Sequence, residues 1–122
     1  MTKKKDLKYY LNKKYDNMMG RCYRKTDLSY KNYGEKGIKV CKEWIIDINN
    51  FRQWFMSELN KNGISETEFL NKTNYYQLDR HDVTGHYTPK NCRIVNPQLN
   101  SRNKKHFKDL IISAEGEEIY LK

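Results

Sequence analysis

Apolar residues recur at helical spacing in the first half of the chain. Between Lys5 and Met19 they lie three or four residues apart, and lysines occupy the opposite face. These apolar positions are Leu7, Leu11, Tyr15 and Met18. A second pattern follows the capping side chains of 47–50 and ends near Asn62-Gly63, where glycine favours a helix end. Its apolar positions are Phe51, Trp54, Phe55 and Leu59. The spacing predicts two amphipathic helices, the second carrying much of the core.

Short elements joined by polar segments are predicted around and after these helices. Residues 20–37 have the composition of a loop, and a short strand is expected at 38–41. Ser65-Glu66-Thr67-Glu68 resembles a capping box and predicts one further short helix. Two segments rich in aromatic or β-branched residues, 75–81 and 91–95, predict strands joined by a long turn-forming loop.

The C-terminal part of the chain predicts one more helix and a second hairpin. Pro97 suits the first turn of a helix over 98–105, because a proline loses no hydrogen bond there. Segments 110–112 and 118–121 around Glu115-Gly116 are expected to form a terminal hairpin. With 122 residues, the chain fits one α+β domain spanning 1–122.

The charge balance favours a polyanionic partner. Lys and Arg number 24 against 15 Asp and Glu, giving a net charge of +9. Each Lys or Arg that meets a phosphate releases condensed counterions, so double-stranded DNA is the first candidate partner. The sequence has no apolar run near the ~20 residues that a membrane-spanning helix needs, and no apolar stretch follows its basic start. We therefore expect no membrane partner and a cytoplasmic location.

The three cysteines favour reduced thiols over a disulfide framework. Cys22, Cys41 and Cys92 are odd in number and widely spaced. A structural zinc site prefers a close pair of cysteines, and the sequence contains none. Structural zinc is therefore not expected, and these residues are interpreted as small buried apolar side chains.

An ordered set of polar residues lies in the predicted strand, loop, strand and helix. It runs Leu78-Asp79-Arg80-x-Asp82-x2-Gly85-x-Tyr87-x-Pro89-x-Asn91-Cys92-Arg93, followed by Asn100 and Asn103. The topology would bring the end of the first strand beside the first turns of the helix, so that Asp79 and Asn100 converge. Carboxylate and amide oxygens suit Mg²⁺, which accepts one or two protein oxygens together with substrate phosphate.

This set resembles the HNH endonucleases, specifically the small type found in phages and mobile elements. Residues 29–44, beginning Ser29-Tyr30-Lys31-Asn32-Tyr33-Gly34, also look like the region that precedes the motif in that family. The likeness spans roughly 19–105. It implies a ββα-metal fold with its motif core at about 75–105, flanked here by N-terminal helices and a short C-terminal hairpin. It also implies one divalent metal per site, Mg²⁺ or Mn²⁺, and cleavage of DNA in a bacterial or phage-infected cell.

The resemblance assigns roles to individual positions. Asp79 and Asn100 match the metal ligands, and Asn91 matches the asparagine that braces the loop between the strands. Arg80 departs from the commoner histidine, the general base, because a guanidinium with a pKa above ~12 accepts no proton near neutral pH. We assign Arg80 to the scissile phosphate as an electrostatic clamp.

Several groups remain as proton acceptor or nucleophile. His81 follows Arg80 directly and His86 lies in the loop. Tyr30 or Tyr33 could act through a hydrogen bond, or as a phenolate whose pKa is lowered by the metal and Arg80. The sequence leaves these alternatives open.

DNA contacts are expected near the metal site and along the helix after it. The candidate residues are Arg93, Arg102, Asn103, Lys104 and Lys105. The alternative function is a catalytically degenerate HNH-fold module that only binds DNA. A double-strand cut from one active site per chain would suggest a homodimer, whereas a nickase could act as a monomer. Homing and restriction roles are not separated by the sequence.

Overall fold

The computed structural model describes residues 5–97, which form four α-helices and a two-stranded sheet. The helices are α1 (Leu7–Tyr23), α2 (Lys42–Ile46), α3 (Ile48–Lys61) and α4 (Glu66–Asn71). Two short 3-10 turns, Tyr30–Asn32 and Gly34–Lys36, lie between α1 and α2. The strands are β1 (Gln77–Arg80) and β2 (Cys92–Val95). The α+β class expected from the sequence is therefore present, whereas the helix predicted at 98–105 and the hairpin predicted at 110–121 lie outside the described residues.

Three helices begin at side chains that accept a hydrogen bond from a free backbone amide. Asp6 accepts from Tyr9 N at 3.0 Å, and Asp47 accepts from Asn49 N at 2.9 Å. Ser65 Oγ accepts from Glu68 N at 3.0 Å, which is the hydrogen bond expected of the predicted capping box. The starts of α1, α3 and α4 are thus encoded locally.

The core is a continuous cluster of aromatic and aliphatic side chains between α1, α3 and the sheet. Its largest fully buried members are Trp44, Phe51, Phe55, Phe69, Met18 and Leu59. Ring contacts run from Trp44 to Phe51 at 5.0 Å between centroids, then to Phe55 at 5.8 Å and Phe69 at 5.5 Å. The predicted apolar face of α3 is confirmed by this cluster, with Trp54 partly buried beside it. Helix α3 therefore fixes the position of the sheet and of α1.

Three local predictions differ from the structure. Helix α1 extends to Tyr23, four residues past Met19, so the start of the expected loop at 20–37 is helical. The expected strand at 38–41 is reduced to one bridge, between Val40 and Tyr87, because the chain turns into α2 at Lys42. Helix α2 was not predicted, since a five-residue helix with one buried side chain has no periodicity to detect.

Gly34 allows the 3-10 turns to approach α1 closely. A Cβ at this position would lie 2.2 Å from the carbonyl oxygen of Cys22 and 2.4 Å from a ring carbon of Tyr30. Since real Cβ atoms essentially never come this near to other atoms, only glycine fits. This contact places Tyr33, the next residue toward the N-terminus, against the end of α1.

Strands β1 and β2 pair antiparallel, with Asp79 opposite Arg93 and Arg80 opposite Cys92. Residues 81–91 connect them and include the predicted long loop. Asp79 and Arg80 point to opposite faces because side chains alternate along a strand. None of the helices between residues 5 and 97 is long and apolar enough to span a membrane.

The buried thiols predict a loss of stability in alkaline solution. Burial raises the pKa of Cys22 from 9.0 to about 11 and that of Cys92 to about 12. At a pH between 9.0, the pKa of the thiols in the unfolded chain, and their raised pKa in the folded chain, the unfolded chain releases protons that the folded chain retains. The free energy of unfolding should therefore fall as pH rises above about 9. Lys14 acts in the opposite direction, because burial lowers its pKa to about 8. One amine does not offset both thiols.

Urea unfolding under reducing conditions between pH 8 and pH 11 would measure this effect. The Cys92→Ala variant should show a shallower decline above pH 9 than the unmodified chain. An equal slope in both proteins would contradict the assignment to this thiol.

Candidate functional site

The β1–β2 pair presents a carboxylate at its edge. Asp79 lies on β1. Its Oδ2 accepts a hydrogen bond from Nε of Arg93 at 3.0 Å and forms an ion pair with Nη2 of the same arginine, also at 3.0 Å. The cross-strand register places the two residues directly opposite each other. Asp79, expected to hold a metal, is therefore paired with Arg93, which was expected to contact DNA. A metal ion at Asp79 would use Oδ1 or displace the guanidinium.

Asn91 closes the loop between the strands. Its Oδ1 accepts from Asp82 N at 2.9 Å, and its Nδ2 donates to Asp82 O at 3.1 Å and to His86 O at 2.9 Å. Its backbone carbonyl also accepts from His81 N at 2.7 Å. A Cβ on Gly85 would lie 2.7 Å from Asn91 Nδ2, so glycine makes room for the amide. Asn91 thus lies where a loop-bracing asparagine was expected.

Arg80 is buried, with 8% of its surface exposed. Its Nη1 donates to the carbonyl oxygens of Val83 at 2.7 Å and Gly85 at 2.6 Å. The guanidinium carbon lies 5.0 Å from the ring centroid of Tyr33 and 5.1 Å from that of Tyr87, and the two rings are stacked at 6.2 Å. Arg80 therefore holds the loop through its carbonyl oxygens and also lines a cleft at the surface. The sequence had suggested only a phosphate clamp.

A cleft of about 380 Å³ lies over these residues. Asp79, Arg80 and Tyr33 all line it, so the structure brings together three of the residues singled out from the sequence. Arg21 of α1 forms another wall and donates from Nη1 to Tyr87 Oη at 3.1 Å. The guanidinium groups of Arg21 and Arg80 therefore share a space large enough for a phosphate group, whereas the Asp79 carboxylate pairs with Arg93 on the other face of the strand.

Arg21 is the site residue that the sequence did not single out. Arg24, three residues further along the chain, forms an exposed ion pair with Asp16 at 2.7 Å. Arg21 instead lies 5.8 Å from the ring centroid of Tyr33. The sequence did hold one indication of this position: Arg21 follows Lys14 by seven residues, and positions seven apart lie on the same face of a helix.

The two histidines near the cleft differ in their capacity to accept a proton. His86 Nδ1 accepts a hydrogen bond from Lys39 N at 2.9 Å, so neutral His86 carries its proton on Nε2 and has no free lone pair. His81 is mostly exposed. Partial burial of its ring lowers the pKa of His81 from 6.5, and the positive charge of Arg93 lowers it further. His81 is therefore neutral at pH 7 and can accept a proton.

The electrostatic surroundings of His81 include both Asp79 and Arg93. Residues 79 and 81 are two apart, so they lie on the same side of the chain where it leaves β1. His81 is exposed, so its ring does not lie in the core. Tyr30, the other tyrosine considered, packs its ring against the position of Gly34.

Five of the predicted site residues lie outside the described part of the chain: Asn100, Arg102, Asn103, Lys104 and Lys105. Within residues 5–97, no group of three His, Cys, Asp or Glu side chains could hold a metal ion. Of the two oxygen ligands predicted from the sequence, only Asp79 lies within residues 5–97. The second expected ligand, Asn100, follows β2 by five residues in the sequence.

Comparison with known proteins found no match to a family model, to a curated protein or to a solved structure.

Proposed function

We propose that this chain is a metal-dependent DNA endonuclease of the HNH type, which hydrolyses phosphodiester bonds. The observation that carries the proposal is the loop between β1 and β2. Asn91 closes this loop with three side-chain hydrogen bonds, and the consecutive residues Asp79 and Arg80 at the end of β1 both line the cleft beside it. The net charge of +9 is consistent with a double-stranded DNA substrate.

The donor set fits Mg²⁺ or Mn²⁺ better than a softer metal. Asp79 offers a carboxylate, and Asn100 would add an amide oxygen; Mg²⁺ requires few protein ligands because it keeps several waters. When bound, the ion would lower the pKa of a water molecule and stabilise negative charge on the phosphate. Arg93 would then neutralise the remaining charge of Asp79, as it does through Oδ2 in the structure.

The protein side chains supply the remaining chemistry of the proposal. Arg80 and Arg21 neutralise the charge that develops on the phosphate oxygens. A water oxygen forms the new bond to phosphorus while the bond to the leaving sugar oxygen breaks; His81 takes the proton of the attacking water, and the leaving oxygen takes a proton from solvent. Tyr33 remains a hydrogen-bonding group beside Arg80, with its ring 5.0 Å from the guanidinium carbon.

The proposal is tested with supercoiled plasmid and purified protein, with and without Mg²⁺ or Mn²⁺. We expect nicked or linear product only when metal is present. Asp79→Asn should lower the rate at least about 100-fold, because the charge that holds the ion is lost while the shape of the side chain is kept. Asp16→Asn is the matched control, since Asp16 is also an aspartate paired with an arginine but lies away from the cleft.

Two results would contradict the proposal. One is an intact plasmid after incubation of folded protein with either metal between pH 6 and pH 9. The other is equal loss of rate in Asp79→Asn and Asp16→Asn. If cleavage occurs, sequencing the ends of the product distinguishes a nickase from an enzyme that cuts both strands, and thus tests whether a homodimer is needed.

The second candidate function is a degenerate module that binds DNA without cutting it. The ion pair between Asp79 and Arg93 favours it, because an arginine already occupies Oδ2 of the expected metal ligand. Calorimetry with Mn²⁺ separates the two functions. A binding module should take up no metal at Asp79, yet bind DNA with an affinity that falls steeply with salt. Either function places the protein with DNA in the cytoplasm of a bacterial or phage-infected cell, as a homing or restriction nuclease in the first case.

A further inference from the structure

Helix α1 carries a second stripe of residues beside the one that enters the core. The members of the second stripe are Tyr10, Lys14, Asn17 and Arg21. Their spacing of four, three and four residues places them on one helix face. All four line hollows between α1 and the segment from Thr73 to Leu78, which leads from α4 into β1.

These hollows join end to end and lead into the cleft. A hollow of about 250 Å³ at the start of α1 shares Lys14 and Asn74 with a second one of about 360 Å³. The second hollow shares Arg21 and Gln77 with the cleft that Asp79 lines. Together they form one groove, which we call the α1 groove. It is defined by Lys13, Lys14 and Arg21 on the helix, by Lys5 just before the helix, and by Asn74 and Gln77 on the opposite wall.

The α1 groove is positively charged along its whole length. Its four cations face amide and hydroxyl side chains, and none of the described residues that line it before Asp79 is acidic. Lys14 is held in place by a hydrogen bond from Nζ to Tyr76 O at 2.7 Å. Burial, and then repulsion from Arg21, lower its pKa to about 8. An anion between Lys14 and Arg21 would relieve this repulsion.

We propose that the α1 groove binds the phosphate backbone of one strand of duplex DNA, on one side of the phosphodiester at the cleft. The identity of the polyanion rests on the proposed function. From Tyr10 to Arg21 the helix rises about 16 Å, which corresponds to about five nucleotides of one strand. Contacts to phosphate are favoured over base stacking, because Nζ of Lys5 and Lys13 lie 5.9 and 5.7 Å from the ring centroid of Tyr9 and occupy its surroundings.

The test measures binding of a fluorescently labelled DNA duplex by anisotropy, without divalent metal, over a range of salt concentrations. The double variant Lys5→Gln/Lys13→Gln removes two exposed groove cations, and Lys8→Gln/Lys25→Gln removes two exposed cations that do not line the groove. We expect the slope of log K against log salt to fall by about 2 for the groove variant, with affinity at least about 10-fold weaker at 0.15 M salt. The control pair should stay within about twofold of the unmodified chain.

Asn17→Glu is a second groove variant, because it places a carboxylate between Lys14 and Arg21 at an exposed helical position. It should weaken duplex binding as the lysine pair does, and circular dichroism verifies that α1 is intact. Equal affinity of the groove and control variants would overturn the inference. Loss of binding confined to a single-stranded oligonucleotide would overturn the assignment to duplex DNA.

The groove and the endonuclease can fail separately. The unmodified protein could bind duplex DNA more tightly than the groove variants do, while no metal supports plasmid cleavage. That result would support DNA binding in the α1 groove and contradict the endonuclease proposal. If the plasmid is cut in a metal-dependent way while groove and control variants bind alike, the endonuclease stands and the groove falls. Absence of any duplex binding overturns both.

Discussion

Arg80→Ala is expected to destabilise the domain by about 3 kcal/mol or more, since each hydrogen bond from a charged donor contributes roughly 1.5–3 kcal/mol. The guanidinium donates to the carbonyls of Val83 and Gly85 and lies against the rings of both Tyr33 and Tyr87. Alanine would remove both hydrogen bonds and leave a void beside the two tyrosine rings. Urea unfolding measures the change, and Arg24→Ala is the control. Arg24 is an exposed ion-paired arginine whose loss should cost at most about 1 kcal/mol.

Conservative replacements at position 80 separate its structural role from its proposed role at the phosphate. Arg80→Lys keeps the charge and one donor but lacks the planar fork, so it should retain part of the stability and less of the activity. Arg80→His cannot replace both hydrogen bonds, so lost cleavage in that variant is informative only alongside its free energy of unfolding. A stability of Arg80→Ala equal to that of Arg24→Ala would show that the loop does not depend on the guanidinium.

Asn91→Ala is expected to cost about 2–4 kcal/mol, because the half-buried Asn91 side chain makes three hydrogen bonds that hold the loop closed. The loop at 82–90 should exchange its amide protons faster than α3 does, which hydrogen exchange would measure. Any cleavage activity should fall with it, because Asp79 and Arg80 precede the same loop.

Two further variants make the test of Asn91 specific. Asn91→Asp keeps the acceptor for Asp82 N but turns the donor toward the carbonyls of Asp82 and His86 into an acceptor, so it should be at least as destabilising as alanine. Asn50→Ala removes one exposed hydrogen bond, to Glu43 O, and should cost at most about 1 kcal/mol. Equal costs for Asn91→Ala and Asn50→Ala would contradict the bracing role.

The parts of the fold that the sequence predicted are those governed by short-range patterns. The core face of α3 repeats every three or four residues, and Asp47 and Ser65 lie directly before the helices that they cap. The β1–β2 hairpin was likewise predicted because its strands are close in sequence. Helix α2 was missed because only Trp44 marks its buried side, and one position defines no period.

The candidate site was predictable in outline and not in its contacts. Asn91 braces a loop within ten residues of itself, so its position in the motif was informative. Arg21 meets Tyr87 across 66 residues, and that contact depends on how α1 packs on the sheet. The burial of Arg80 depends on the backbone carbonyls of Val83 and Gly85, which accept its hydrogen bonds. The pattern of side chains in a sequence does not indicate the direction of a backbone carbonyl. Tertiary packing therefore decided which cations lie at the cleft.

Tyr87 connects three segments that are distant in sequence. Its amide donates to Lys39 O and its carbonyl accepts from Cys41 N, both at 2.9 Å, while its hydroxyl accepts from Arg21 of α1. The loop is thereby fastened to the chain before α2 and to the first helix, and the walls of the cleft cannot separate unless these bonds break. A ligand should therefore meet a preformed surface, with little backbone rearrangement on binding. Its association rate is then set by diffusion and electrostatic attraction, and falls with ionic strength, with no slow opening step before capture.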